Sequence, residues 1–185
     1  DIFESRTSVR AFTDEPVAKS QVMAFFAPHA GAFGVQPAAL AVFVIYDKKL
    51  QQALCDTSPY AAFGAKAPVL IVITYVTDCI VSEFAPIDAS CAAENLWLKT
   101  AELGLGGTLM GVYPRRERAL AVKKLLGLPV KEEAFALFAL GHPQKTWSAE
   151  DLGILNGSMK EGKFIPERSI VMLEKYRSKV VTADK

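Results

Sequence analysis

The stretch Ala67-Pro68-Val69-Leu70-Ile71-Val72-Ile73-Thr74-Tyr75-Val76 decides how the rest of the chain is read. From Val69 to Tyr75 it is a continuous run rich in apolar and β-branched residues, with no alternation of polar and apolar positions. A strand with one wet face alternates, whereas an unbroken run is what a strand covered on both faces requires. The run therefore predicts a sheet in the middle of the molecule with helices on either side.

Upstream, residues 37–46 (PAALAVFVIY) hold a second apolar run, read as a buried strand over 38–46, and residues 48–55 read as a short helix. Asp14-Glu15-Pro16 marks a helix start, with apolar periodicity through Val22, Phe25 and Phe26. Residues 27–37 (APHAGAFGVQP) form a Gly/Pro/Ala loop.

Downstream, residues 76–84 form a loop, and 87–103 are the longest helix candidate, with Asp88 and Ser90 expected in its first turn as favourable negative and capping groups. Cys91, Trp97, Leu98, Ala101 and Leu103 spread around much of that helix, so it should be deeply buried. Gly104, Gly106 and Gly107 end it, and a short strand is expected over 108–113. A charged amphipathic helix follows over 115–126 and stops at Gly127; a buried strand over 134–140 ends at Gly141. Residues 142–168 are a long polar stretch carrying Trp147, Gly157 and Gly162, and 170–176 (IVMLEKY) read as a final strand. A structureless stretch of that length is either functional or an arm that leaves the domain. Helices and strands alternate without a strict βαβ rhythm, which predicts an α+β fold of three layers around a mixed sheet.

The 185 residues suit one domain. With 21 Lys and Arg against 20 Asp and Glu, the formal net charge of +1 leaves no broad footprint for nucleic acid or an anionic membrane, so any anion site must be local. A mean hydropathy of +0.21 leans apolar, as a large core or a subunit interface would. Neither ten-residue apolar run is long enough to span a bilayer. Cys55, Cys79 and Cys91 form no CxxC pair and are odd in number, so they read as three small buried hydrophobes in a reducing compartment. No signal-peptide pattern opens the sequence, and because it begins at Asp1 rather than Met, something upstream is expected to have been removed or to be unseen.

Three places can meet an anion or a flat ligand. In Arg6-Thr7-Ser8-Val9-Arg10, an extended backbone puts Arg6, Ser8 and Arg10 on one face, and a helical one still pairs Arg6 with Arg10 at i, i+4. Two guanidiniums beside a hydroxyl suit phosphate, although a solvated basic face is the commoner outcome of such spacing. Lys160 and Lys163 lie in the long polar stretch and can reach one anion together. Residues 104–111 (GLGGTLMG) are glycine-rich but follow a helix and precede a strand, the reverse of a dinucleotide-binding turn. They fit either a plain helix-to-strand turn or a backbone that comes close to a flat ring. His29 and His142 have no partners at triad or metal spacing, so hydrolase and metalloenzyme chemistry have little support. Anion grips with few acid–base groups point to a cofactor that carries the chemistry.

The order of these blocks resembles the nitroreductase family of flavoproteins. RTSVRAF (6–12) resembles the family's RxSxRxF opening, and GAFGVQP (31–37) its Pro-Ser-x-x-Asn-x-Gln-Pro loop. Residues 67–73 resemble its following strand, and 87–107 its long central helix. MGVYP (110–114) with 115–129, ALGHP (139–143) and KEGKFIPERS (160–169) continue the likeness in the same order over nearly the whole chain. The chain departs from the pattern where Gly31 and Gly34 replace Ser and Asn, where Pro28 lies two residues early, and where Phe164 and Ile165 interrupt the last element.

The resemblance implies a single nitroreductase-like domain over 1–185, a three-layer sandwich in an intertwined homodimer, with residues 144–185 as an arm embracing the partner. It implies FMN at the dimer interface. Arg6, Thr7, Ser8 and Arg10 would hold its phosphate and polar edge, and Lys160 and Lys163 would reach the phosphate. Thr108, Leu109, Met110 and Gly111 would offer backbone groups to the ring, and Ala32, Gly34 and Gln36 of the partner's loop would cover the ribityl chain. The implied activity is a cytoplasmic ping-pong transfer of electrons from NADH or NADPH to a nitroaromatic, quinone or related small acceptor. The alternatives are a relative with dehalogenase or flavin-breakdown chemistry, and a non-catalytic flavin-binding protein.

Overall fold

The structure is a computed structural model that describes residues 2–25 and 40–145. The expected loop at 27–37, the polar stretch and arm beyond Lys145, and the strand at 170–176 lie outside the described residues. The elements are α1 (Ile2–Ser5), α2 (Lys19–Ala24), β1 (Leu40–Ile45), α3 (Lys48–Cys55), β2 (Val69–Val76), α4 (Ala85–Glu102), β3 (Gly106–Gly111), α5 (Arg116–Leu126) and β4 (Glu132–Gly141). Short 3-10 turns occupy Ala62–Lys66 and Ser82–Phe84.

The strands lie in the order β1-β2-β4-β3, and every neighbouring pair is antiparallel. The parallel component expected of a mixed sheet is, among the described residues, a single bridge from Ser8 to Gly107 on the outer edge of β3. β2 is central, as its continuous run predicts, with seven of its eight positions buried. Val69, Ile71, Ile73 and Tyr75 pack with Phe138, Leu140 and the Ala85, Ala89, Ala93 and Leu96 stripe of α4. Leu70 and Val72 turn the other way, onto Leu54 and Cys55 of α3 and Val122 of α5. Alternate residues of one strand thus serve two cores, and three layers result. Thr74, the polar residue of the run, is buried with its hydroxyl donating to Ala41 O at 3.2 Å and to the Glu132 carboxylate.

The pairing of β2 with β4 shifts register between Ile73 and Thr74, so Phe135 bulges out of the ladder. Bulges re-aim side chains: Phe135 stacks on Tyr113 at 6.0 Å, and its carbonyl accepts from the N–H groups of Val112 and Tyr113 at 3.1 and 2.8 Å. The chain leaving β3 is fixed in this way.

The ends of α4 depart from expectation. It begins at Ala85 because Pro86 is tolerated in a first helical turn. Ser90 does not cap it; its hydroxyl donates back to Pro86 O at 2.8 Å. Asp88 does lie in the first turn, buried, with Oδ1 lacking a hydrogen-bond partner. At the other end, Leu105 N–H reaches Thr100 O and Gly104 N–H reaches Ala101 O, with Gly104 at φ +69°. This Schellman closure needs the left-handed conformation that glycine adopts without strain. Helix α2 starts three residues later than Asp14-Glu15-Pro16 suggests, because Thr13 N–H is held by His142 O at 2.9 Å and Val17 is buried in extended chain. Of the cysteines, all free, Cys55 is fully buried while Cys79 and Cys91 are half-buried. Burial, helped by the Asp56 carboxylate, pushes the Cys55 thiol up to about 11.

Candidate functional site

The edge of β3 is where the expected site residues meet. Arg6 still belongs to the end of α1, since its N–H bonds Ile2 O at 3.0 Å. The chain then runs along the start of β3: Val9 N–H donates to Gly107 O at 3.0 Å and the Thr108 hydroxyl donates to Val9 O. Trp97 Nε1, on α4, donates to Thr7 O at 3.3 Å. Further on, Gln144 N–H bonds Ala11 O at 3.0 Å beside a bridge from Phe12 to Pro143. Residues 7–13 are therefore pinned to both β3 and the exit of β4.

Two glycines of the GLGG turn make that docking possible. A Cβ on Gly106 would stand 2.8 Å from the Val9 side chain, and one on Gly107 would stand 2.2 Å from the Phe138 ring. Their backbone serves internal packing. Gly111 differs, for a Cβ there would meet nothing nearer than Tyr113 O at 3.7 Å.

An antiparallel ladder sends the N–H and C=O of alternate residues outward. Because Gly107 O bonds Val9, the outward residues of β3 are Gly107, Leu109 and Gly111, and the groups of Thr108 and Met110 turn into the ladder. The four expected ring-contacting residues thus divide. Leu109 and Gly111 present backbone to the edge, whereas Thr108 and Met110 are buried side chains that support it. Met110 lies against the 3-10 turn, so closely that a Cβ on Gly64 would stand 3.0 Å from its methyl group. Among the described residues, no group outside the ladder bonds the outward N–H and C=O of Leu109. Gly111 O accepts from Arg118 Nη1 at 3.4 Å.

Arg6 and Arg10 do not converge within the chain. The Arg6 guanidinium lies 4.4 Å over the Trp97 ring and 3.9 Å from the Glu94 carboxylate. Arg10 lies 5.9 Å over the Phe63 ring. Trp97 packs on the α4 side of the sheet and Phe63 on the other, so the two cations bracket the edge from opposite layers, with Ser8 between them. The same-face rule fails for Arg6 because that residue is not yet in extended chain.

Four contributors are not readable in the sequence as site residues: Trp97, Phe63, Tyr60 and Arg118. Arg118 sits 5.8 Å over the ring of Tyr60, which is 78% exposed. The run Arg115-Arg116-Glu117-Arg118 signals only a charged helix face, and nothing local distinguishes an aromatic residue that will flank a sheet edge. Ala32, Gly34, Gln36, Lys160 and Lys163 lie outside the described residues. His142 contributes its backbone carbonyl to Thr13 and places its ring 3.7 Å from the Glu15 carboxylate, away from the β3 edge.

Three guanidiniums, a hydroxyl and an open backbone edge can hold an anionic group at one end of a flat, polar-edged molecule. The Nitroreductase family pattern matches residues 34–142 of the 185, including β3 with Phe63, Trp97 and Phe138 beside it. The chain belongs to the nitroreductase family. A relative in Archaeoglobus fulgidus, provisionally named NADH dehydrogenase/NAD(P)H nitroreductase, is 31% identical over 144 residues, 74% of this chain and 78% of that protein. A solved structure from Clostridium acetobutylicum, provisionally named NADH oxidase, superposes with a TM-score of 0.72 at 26% identity, covering 78% of this chain and 89% of its own. An FMN-dependent nitroreductase of Clostridium difficile superposes with a TM-score of 0.70 at 22% identity, covering 88% of this chain and 96% of its own, and so shares the fold. The nitroreductase fold here is therefore the α+β sandwich that β2 predicts. The matched span holds the β3 edge but stops short of the Arg6–Arg10 segment and of Lys160 and Lys163.

Proposed function

We propose that this nitroreductase-family chain is an FMN-dependent oxidoreductase that takes electrons from NADH or NADPH and passes them to a nitroaromatic, quinone or related small acceptor, one substrate after the other at one site. The observation that carries the reading is the pair of outward N–H groups of Leu109 and Gly111, open on the strand edge that Arg10, Ser8 and Arg6 flank. Bound FMN would supply the redox chemistry, accepting a hydride and releasing electrons to the acceptor.

The chain's own part is to hold and orient. Leu109 N–H and Gly111 N–H are donors fixed by the ladder, so they need no reordering when a ring edge arrives. Arg10 is the freer cation, since its described partner is a ring face at 5.9 Å, whereas Arg6 is shared between Trp97 and Glu94. Cations at a ring edge also favour an anionic reduced form. Lys160 and Lys163, on the arm over 144–185, belong to the same anion grip in this reading, and Ala32, Gly34 and Gln36 of a second copy cover the ligand.

A homodimer is part of the proposal. Ile80, 81% exposed, and Ile87, 49% exposed, stand with Phe84 around the start of α4 as apolar surface that a second copy would bury. The Asp88 oxygen without a partner lies on the same turn. A cytoplasmic location suits the three free thiols. No helix among the described residues is long and apolar enough to cross a membrane.

The test is the visible spectrum of the purified protein before and after anaerobic addition of NAD(P)H. Flavin bands that bleach support the proposal. Bands that persist favour the non-catalytic flavin-binding reading, which Gly31 and Gly34 motivate by replacing polar residues of the family's covering loop. Absence of flavin after soaking with FMN overturns both.

A further inference from the structure

A second cationic place lies away from the β3 edge. The stretch from Thr13 to Lys19, the turn from β1 into α3 at Tyr46 and Lys48, and the junction of the 3-10 turn with β2 at Ala65, Lys66, Pro68 and Val69 enclose a cleft of about 390 Å³. That volume falls in the range of small-ligand pockets, about 300–1,000 Å³. Its walls are apolar at Pro16, Val17, Pro68 and Val69, and its charges are Lys19, Lys48 and Lys66 against the one carboxylate of Asp14.

This imbalance is local. The whole chain carries 21 Lys and Arg against 20 Asp and Glu. Lys99, Lys123 and Lys131 are matched by Glu102, Glu133 and Asp78. Lys19 and Lys66 have no ion partner among the described residues. Lys48 is held in place: its ammonium donates to Gln51 Oε1 at 2.9 Å and to Ala67 O, and Gln51, fully buried, is itself fixed by donating to Ile45 O at 2.7 Å. An ammonium has three donors, so one remains for the cleft. Loss of hydration lowers the Lys48 pKa, while Asp14 opposes that shift. Three like charges facing a single carboxylate beside apolar walls are costly, and an anionic ligand relieves that cost.

We propose that this cleft binds a small dianion with an apolar body, an aryl phosphate being the simplest form. The phosphate end meets Lys48 and Lys66, with Lys19 closing the positive rim, and the body lies on Val17, Pro68 and Val69. Lysine suits phosphate as a point charge. Nothing in this proposal depends on the flavin reading.

The test is a calorimetric titration of the FMN-saturated protein with phenyl phosphate, run beside inorganic phosphate and phenol. Saturation at one site per chain, weaker for both controls and weakened by salt, is expected. Lys19→Met and Lys66→Met should each weaken binding about fivefold, and Asp14→Asn should tighten it about threefold, as removal or relief of one partly screened charge does. The thermal midpoints of these surface variants should match that of the parent, which separates lost binding from lost folding. Absence of saturation at millimolar phenyl phosphate, equal binding of inorganic phosphate, or unchanged affinity in the Lys19→Met/Lys66→Met double variant would each overturn it. If the protein refuses FMN, the same titration and variants still locate the site, because Lys19, Lys48 and Lys66 are not among the residues proposed to hold the flavin.

Discussion

The two halves of β3 are built from similar residues and do opposite work. In Gly106-Gly107-Thr108 every gap is filled, with Val9 against Gly106, the Phe138 ring against Gly107 and the Thr108 hydroxyl on Val9 O. In Leu109-Met110-Gly111 the outward N–H groups are open, the Gly111 carbonyl alone meeting Arg118, and Gly111 has free space beside it. A glycine in the first half permits close packing, and the glycine of the second leaves room. The contrast teaches that a glycine-rich run is not one signal: the fold uses some of its members, and the site is left with the rest.

The largest effect that would break this contrast is at Gly107. Gly107→Ala places a methyl 2.2 Å from a fully buried ring, and overpacking of that kind should cost about 3 kcal/mol in a urea unfolding experiment. A loss under about 0.5 kcal/mol would mean that the packed half yields as readily as the open half. Next comes Arg10→Ala, which removes the freer cation of the open half. FMN affinity, read by flavin fluorescence, should fall by roughly 30-fold, about 2 kcal/mol, with the unfolding midpoint unchanged. Unaltered affinity would remove Arg10 from the site. Gly104→Ala sharpens the comparison from outside the strand: it has open space but sits at φ +69°, so it should cost about 1 kcal/mol for conformational reasons alone. The smallest stability effect is expected at Gly111→Ala, less than about 0.5 kcal/mol. There the change should appear in the rate at which NAD(P)H bleaches the bound flavin; an unchanged rate would mean Gly111 does not face the ring.

What the sequence made legible follows the same division. The run over β2 declares a doubly covered strand because continuous burial demands continuous apolar residues; α5 and β4 follow from their apolar patterns and their stops at Gly127 and Gly141, and α3 from its pattern alone. Boundaries slipped for two reasons: a tertiary bond holds Thr13 to His142 and delays α2, and Pro86 starts α4 early enough that Ser90 bonds back within the helix where a capping role is expected. At the site, Ser8 and the strand beside it were readable, and the positions of the cations were not. Arg6 and Arg10 go to the rings of Trp97 and Phe63, which the fold brings from far along the chain. The division of β3 into inward and outward residues depends on which edge is free, and strand order alone decides that.

The strip of backbone at residues 7–9 has a consequence in time. Val9 emerges from synthesis nearly a hundred residues before the Gly107 carbonyl that receives it, a delay of roughly 5–20 s at common translation rates. Pulse-labelled hydrogen exchange should therefore find the Val9 amide protected no earlier than the ladder of β3 with β4. A nascent chain carries its arginines on an unpaired tether until that ladder exists, so the protein completes its grip on an anion only after most of its core has already closed.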